Sequence, residues 1–248
     1  YQSARVHINL NAYYNAINNV TEWQNFYFDD INSFSYVSIT GGKKAYYGVE
    51  AALKYKVNST FDIKLLGTVS EAKNTNDANV NYLNSTQGVY NEDKLLNKDM
   101  RESGTPLTAA SAILSYHKKG WFIDLAGNYY DRIYLGYSPY YRYKSVGEKR
   151  GNVDSNGNVL RVAQEKGKGG FMLDASIGKS IYLKKGSLSI NLMLTNVLNN
   201  QNIVTGGYEQ SRSDFTASGN ARAYKFSRNP KKFYAYGTNG MLNITYKF

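Results

Sequence analysis

The sequence predicts an all-β fold whose antiparallel strands form part of the wall of a transmembrane barrel. Three observations predict it: apolar and polar residues alternate, the connections between alternating segments are short and long in turn, and aromatic residues gather near segment ends. Among 248 residues there are 24 tyrosines, only 3 prolines and no cysteine. That composition argues against a helical bundle, a disulfide scaffold and a cysteine-ligated metal module.

The dominant period along the chain is two. From Arg5 to Ala16 the even positions are apolar and the odd positions are mostly polar, as expected when successive side chains of a strand point to opposite faces. Lys179 is an exception, a charged residue on an apolar face. It lies near a strand end, where its flexible stem can carry the ammonium to water. The pattern predicts eight strands, at residues 5–16, 46–57, 61–70, 110–117, 121–132, 171–183, 188–195 and 234–248.

The connections between these strands alternate in length. Tight turns are predicted at 58–60, 118–120 and 184–186. Long polar loops are predicted at 24–44, 72–105, 136–169 and 199–232. Short turns on one side and long loops on the other are typical of an outer-membrane barrel.

Aromatic residues mark both ends of the predicted strands. Those at the short-turn ends are Tyr55, Phe61, Tyr116, Trp121, Tyr182, Tyr246 and Phe248. Those at the long-loop ends are Tyr13, Tyr14, Tyr46, Tyr47, Tyr129, Tyr130, Phe233, Tyr234 and Tyr236. Two such girdles are expected where a barrel wall meets the two membrane–water interfaces, which predicts an integral outer-membrane location. A soluble sandwich with tyrosine-rich edges is the competing interpretation.

Three segments carry a family resemblance. The last strand ends in Phe248, preceded by residues 228–237 (RNPKKFYAYG); residues 191–200 (NLMLTNVLNN) close the seventh strand, and residues 47–50 (YGVE) open the second. Together they resemble the C-terminal strands of TonB-dependent receptors of the SusC-like type from Bacteroidetes. The motifs are short, and the more specific ones lie in roughly the last sixty residues.

The resemblance implies a 22-stranded barrel with a plug, energised through TonB, that imports glycans, peptides or chelates with a SusD-like surface lipoprotein. Residues 1–248 would then be the eight C-terminal strands of the barrel. Eight strands of a wide barrel leave two unpaired edges, which lipid does not tolerate. The other strands, the plug and the TonB-contacting part are therefore expected N-terminal to Tyr1, in the same gene product or a separate chain. The alternatives are a closed eight-stranded barrel with a structural or adhesin role, and an outer-membrane hydrolase.

Two groups of loop residues are candidate contacts. Tyr137, Tyr140, Tyr141, Arg142 and Tyr143 are candidates for contact with substrate or the lipoprotein lid, because aromatic faces stack on sugar rings; they could equally extend the outer girdle.

The second group uses the net charge of +11. Lys225, Arg228, Lys231 and Lys232 are candidates to pair with lipopolysaccharide phosphates, or they keep an exposed loop soluble. The basic residues form no single stripe, which argues against nucleic-acid binding.

No catalytic, cofactor or metal site is predicted. His7, His117, Asp62 and Asp124 share the polar face near the short-turn end, but no diagnostic spacing separates them from an ordinary hydrated rim. Both histidines lie at the end away from the long loops, which argues against the hydrolase. Residues 154–158 faintly resemble a calcium loop but lack its bidentate acid, so a turn is favoured.

Overall fold

The structure is a computed structural model that describes residues 1–28, 33–84, 89–208 and 230–248. Within these ranges it is dominated by antiparallel strands, which confirms the all-β prediction. The strands are β1 (Val6–Phe28), β2 (Ser33–Lys56), β3 (Phe61–Asn74), β4 (Ala78–Asn84), β5 (Val89–Leu95), β6 (Thr108–Lys118), β7 (Trp121–Asp131), β8 (Gly170–Tyr182), β9 (Ser187–Thr195), β10 (Val204–Tyr208), β11 (Pro230–Tyr234) and β12 (Asn239–Lys247).

Eight of these strands form one continuous wall. Its order is β1-β2-β3-β6-β7-β8-β9-β12, so each wall strand pairs antiparallel with the next wall strand along the chain. The eight strands predicted from the period of two correspond to these eight. The predicted tight turns also form; between β6 and β7, for example, Lys119 and Gly120 adopt φ values of 50° and 78°, the left-handed conformation that a two-residue hairpin turn requires.

The wall is open. β1 pairs only with β2 and β12 only with β9 among the described strands, so these two strands are its edges. The closed eight-stranded barrel would require β1 to pair with β12, and that pairing is not formed. The first three residues fold back on the free edge of β1, where the Tyr1 amino group donates to the Ile8 carbonyl at 3.0 Å.

The predicted loop at 24–44 is wrong over the described residues, because β1 and β2 continue far beyond the wall as one hairpin. Register shifts lie between Ile17 and Val20 on β1 and between Val20 and Glu22. Asn19 and Gly41 have left-handed φ values of 55° and 67°, as in β-bulges. One extra residue in each strand keeps the pairing aligned but exchanges the faces of the residues above it.

The predicted loop at 72–105 contains two further strands. β4 pairs with the upper half of β2, and β5 pairs with β4. We call β4, β5 and the upper halves of β1 and β2 the upper sheet. One face of the upper sheet is buried. The core residues on this face are Val37, Ile39, Ala78, Val80 and Leu95.

The predicted loop at 136–169 covers that buried face. It holds a 3-10 turn (Tyr140–Arg142) and the short helix α1 (Lys144–Lys149). Leu135, Tyr140, Tyr141, Tyr143 and Val146 complete the core with the upper sheet. We call residues 132–169 the cap.

The predicted last strand, 234–248, is interrupted. β11 pairs with β10 in a separate two-stranded sheet, and β12 begins only at Asn239. Asn196, just after β9, holds the segment between β11 and β12 in place. Its side-chain amide donates to the Tyr236 carbonyl at 2.8 Å and to the Asn200 carbonyl at 3.0 Å. The chain therefore turns around Asn196 before it enters the edge strand.

Candidate functional site

The wall presents an apolar face across its whole width. One register row runs through all eight strands, and every member is apolar, glycine or tyrosine: Val6, Tyr55, Ile63, Leu114, Leu125, Ala175, Leu194 and Gly240. Large side chains of this face are open to the surroundings; Leu10 is 74% exposed and Leu242 is 59% exposed. A contiguous exposed apolar surface of this extent is a contact surface.

The opposite face carries polar groups. One register row on it, called the polar row below, is polar from β2 to β8, with Lys56, Asp62, Ser115, Asp124 and Ser176, and ends in Met193 and Met241 on β9 and β12. Hydrogen bonds cross between neighbouring strands: Ser115 donates to Asp124 at 2.5 Å, and Ser176 donates to Asn191 at 3.0 Å. This face is suited to water or to another polar surface.

The charged exception on the apolar face has a local solution. Lys179 extends its side chain toward the short-turn end, where its Nζ donates to the Lys119 carbonyl at 2.7 Å. The same ammonium lies 4.9 Å from the centre of the Trp121 ring. Its charge is therefore carried to the end of the wall, in the manner of a snorkelling side chain.

A charged cleft of about 240 Å³ lies between the hairpin of β1 and β2 and the cap. At its centre, Lys44 Nζ lies 2.5 Å from Glu22 and 2.8 Å from Glu102, and Tyr46 donates to Glu102 at 3.2 Å. Burial lowers the pKa of Lys44, but the two carboxylates raise it further, and the net result is a pKa well above the ordinary value. Lys44 therefore stays charged, and by alternation it lies on the same face as the polar row.

A second ion cluster holds the segment of Arg101 and Glu102 in place beside the cleft. Glu71 accepts from Arg101 at 2.7 Å and from Arg132 at 2.5 Å. The Gln164 side chain accepts from the Arg101 backbone amide at 2.7 Å and donates to the Arg101 carbonyl at 2.8 Å. Arg101 and its neighbour Glu102 are thereby held against both β3 and the cap.

The predicted tyrosine group is found in the core of the cap. Tyr140, Tyr141, Arg142 and Tyr143 are all buried, and Tyr143 is 0% exposed. Tyr140 packs against Tyr141 and Tyr143 with ring centres 5.2 Å and 5.9 Å apart. These side chains form the core that stabilises the folded cap. Whether any of them contacts substrate or a lid stays a prediction.

Tyr137 is the member of the group that lines the charged cleft. Its ring lies under the Arg142 guanidinium, 4.6 Å from the ring centre. Burial raises the pKa of Tyr137, so the hydroxyl stays neutral near pH 7.

Of the predicted lipopolysaccharide contacts, Lys225 and Arg228 lie outside the described residues. Lys231 and Lys232 lie in β11. Lys232 pairs with Glu165 of the cap at 3.1 Å, a contact that joins the β10–β11 hairpin to the cap. Phosphate binding by these residues stays a prediction.

The remaining candidate residues from the sequence concern metal and calcium binding. Within the described ranges no group of three or more His, Cys, Asp or Glu residues could hold a metal ion. Asp154 accepts the backbone amides of Asn156 and Asn158 at 2.8 Å and 2.9 Å, the geometry of an Asx turn.

The charged cleft has no local signature in the sequence. Glu22, Lys44 and Glu102 come from three distant segments, and only the folded cap brings them together. In the sequence, the cleft is marked only by Lys44, a charged residue among the residues of a strand. Among the described residues no helix is long and apolar enough to cross a membrane. Comparisons with protein-family models, with curated proteins and with solved structures returned no match.

Proposed function

We propose that this chain is part of the barrel wall of a TonB-dependent outer-membrane nutrient importer of the SusC-like type. The observation that carries the proposal is the exposed apolar row that runs through all eight strands, backed by a polar row on the other face. Lipid on one side and a hydrated or plugged interior on the other is the arrangement that requires such a pattern.

The dimensions of the wall agree with this proposal. β6 and β7 have 11 residues each, and β9 and β12 have 9 each. A tilted strand needs about 9–11 residues to cross the hydrocarbon layer. The aromatic pair of Phe61 and Tyr116, with ring centres 5.2 Å apart, would lie at the periplasmic interface.

The open edges supply the argument for partners. Among the described strands, β12 has no partner on its outer edge, and β1 has none there beyond its first residues, which Tyr1 to Ser3 cover. Such open edges are not tolerated in lipid. The remaining strands of the barrel would pair with both edges, and the plug would pack against the polar face. The TonB contact would come from that remaining part, and a SusD-like lipoprotein would cover the long-loop end.

The charged cleft would lie on the lumen side, at the long-loop end. Its carboxylates and ammonium offer polar contacts to a glycan, peptide or chelate on its way to the plug. Import breaks no covalent bond, so no residue is assigned a catalytic role. The proposed barrel takes no cofactor.

Fractionation of the native cells tests this proposal. We expect the protein to remain in outer membranes after an alkaline carbonate wash and to be released by detergent. In mild detergent its native mass should exceed that of this chain, with a barrel-and-plug polypeptide and a lipoprotein in the complex. Release by carbonate, or a native species with the mass of this chain alone, would contradict the proposal.

The self-contained barrel with a structural or adhesin role is the second candidate. It requires β1 to pair with β12, whereas these strands are the two edges of an open wall. A disulfide between cysteines introduced into β1 and β12 of the native protein would favour it over the importer. The hydrolase lacks a supporting observation, since His7 and His117 lie at the short-turn end of the wall.

A further inference from the structure

The outward face of the upper sheet carries an aromatic and polar surface that the proposed importer role does not use. Above the two bulges, alternation places Trp23, Tyr36 and Ser38 on the side opposite the cap. Trp23 is 75% exposed and Tyr36 is 74% exposed. These aromatic rings therefore cover none of the protein's own core.

Register brings polar partners into line with Trp23. One row runs across all four strands of the upper sheet as Trp23, Ser38, Asn81 and Glu92. Tyr36 pairs with Asn25 and is thus the diagonal neighbour of Trp23, at a Cα separation of about 7–8 Å for such pairs. Two exposed aromatic residues on neighbouring strands thus lie at one end of a line of hydroxyl, amide and carboxylate groups.

A shallow groove continues this line. It has a volume of about 570 Å³, in the range of small-ligand sites, and it is lined by Thr40, Asn79, Asn81, Glu92 and Lys94 among others. Thr40, Asn79 and Lys94 form a second register row beside the first. The groove thus offers both donors and acceptors at regular strand spacing.

We infer that this surface, the outward platform, binds a soluble oligosaccharide. A pyranose ring has an apolar C–H face that stacks on Trp or Tyr and hydroxyls at its rim that bond to amides, hydroxyls and carboxylates. Trp and Tyr supply this contact with little loss of conformational entropy. A chain of sugars would lie along the row from Trp23 toward Glu92.

Other occupants fit the platform less well. Beyond the two rings, the described outward residues on these strands are polar or charged, such as Ser38, Asn81 and Glu92, whereas the core of a protein interface is depleted of charged groups. The groove is lined by two acidic residues, Glu92 and Asp93, and one basic residue, Lys94, whereas nucleic acid requires a basic surface. Trp23 is 9 residues beyond Tyr14 along β1, about 30 Å at strand rise, which is too far for contact with the hydrocarbon layer.

The inference goes beyond the proposed function and does not depend on it, because the platform belongs to the upper sheet rather than to the wall. Its test uses the protein as purified in detergent, with cellohexaose, laminarihexaose and maltohexaose as probes. The chain has two tryptophans, and Trp23→Phe removes the one on the platform, so the emission change that is lost in this variant is that of Trp23. We expect at least one hexasaccharide to shift the Trp23 emission at millimolar concentration and to release heat in calorimetry.

Matched variants assign the binding to the platform. Trp23→Ala and Tyr36→Ala should each weaken it about tenfold or more, as loss of one stacked aromatic does, and Trp23→Phe should retain part of it. Tyr182→Ala removes a ring that is 82% exposed at the short-turn end and should leave affinity unchanged. Circular dichroism checks that each variant keeps its strands.

Three results would overturn the inference. They are an unchanged Trp23 emission with all three sugars, unchanged affinity in Trp23→Ala and Tyr36→Ala, and binding of lipopolysaccharide or protein alone. Failure of the sugar test would leave the membrane fractionation result untouched, so the two proposals fail separately.

Discussion

Asn196 shows how one side chain fixes the path of the chain between β9 and β12. It is 1% exposed and adopts φ 50°, and its amide bonds two carbonyls while its oxygen accepts the Asn200 amide at 2.9 Å. The Thr238 hydroxyl also donates to its carbonyl, at 2.8 Å. The motif that suggested a family at the sequence level therefore has a structural role in this fold.

Asn196→Ala should lower the free energy of unfolding by about 2–4 kcal/mol, because it leaves buried backbone groups unpaired. Asn196→Gly relieves the left-handed backbone but also loses the amide, so it should be nearly as destabilising. Urea unfolding in detergent provides the measurement. Asn156→Ala, in an exposed turn, should change little; equal effects at both positions would contradict this role.

Asp77 and Arg161 join the upper sheet to the cap across 84 residues of sequence. Arg161 donates from both terminal nitrogens, and the Lys98 backbone amide donates to Asp77 at 2.9 Å. Burial raises the pKa of Asp77, but these hydrogen bonds lower it further, and the net pKa lies below the ordinary value. The carboxylate is therefore stabilised in its charged form.

This pair predicts a weakening of the cap in acid. Since the folded pKa is below the unfolded value of about 3.9, the contribution is complete above that value and is lost as pH falls further. The size should be about 1 kcal/mol or less, because Arg161 is partly exposed. Tyrosine near-UV circular dichroism during thermal unfolding at pH 6 and pH 3 measures it. Asp77→Asn should reduce the difference, and an unchanged difference would count against the pair.

At the scale of the element, the bulges at Asn19 and Gly41 determine which residues of β1 and β2 face the cap above the wall. Gly41 has φ 67°, and a Cβ there would approach the Asn79 amide to 3.3 Å. Gly41→Ala should therefore cost about 1–2 kcal/mol of unfolding free energy. Gly67→Ala is the control, because its Cβ would meet only a carbonyl at 3.9 Å. Comparable losses in the two variants would refute the special conformation of Gly41.

The cap should unfold separately from the wall. Tyr143 is 0% exposed and lies 6.1 Å from Tyr82 of β4, ring centre to ring centre. Tyr143→Ala should cost about 3–5 kcal/mol locally and open residues 132–169 to protease while the wall stays resistant. Leu160→Ala, at a side chain that is 48% exposed, should leave cleavage unchanged. Loss of resistance in the wall as well would show one cooperative unit.

These elements show where sequence reasoning works and where it stops. The eight wall strands follow from alternation because each has one apolar and one polar face. The hairpin above the wall does not, because the bulges at Asn19 and Gly41 reverse the alternation that a fixed period detects. Tyr140 and Tyr143 could be recognised as aromatic loop residues, but composition does not distinguish a ring packed in a core from one that faces a ligand. The charged cleft depends on Glu22, Lys44 and Glu102 meeting across the fold.

At the scale of the whole molecule, the central claim is that the two faces of the wall have different surroundings. Adjacent residues on β3 test it without changing position along the strand. Leu65 and Leu66 are each 44% exposed, but Leu65 shares the apolar row of Leu53 while Leu66 points to the polar side. In a soluble sheet open to water on both sides, the two leucines would be equivalent.

The most direct measurement compares Leu65→Lys with Leu66→Lys in outer-membrane assembly and in urea unfolding from lipid vesicles. The account predicts that Leu65→Lys loses about 2–4 kcal/mol and assembles poorly, because it places an ammonium in the hydrocarbon layer. Leu66→Lys should assemble normally and lose about 0.5 kcal/mol or less, because its ammonium stays in contact with water on the polar side. Equal effects of the two substitutions, or a greater loss from Leu66→Lys, would contradict the account.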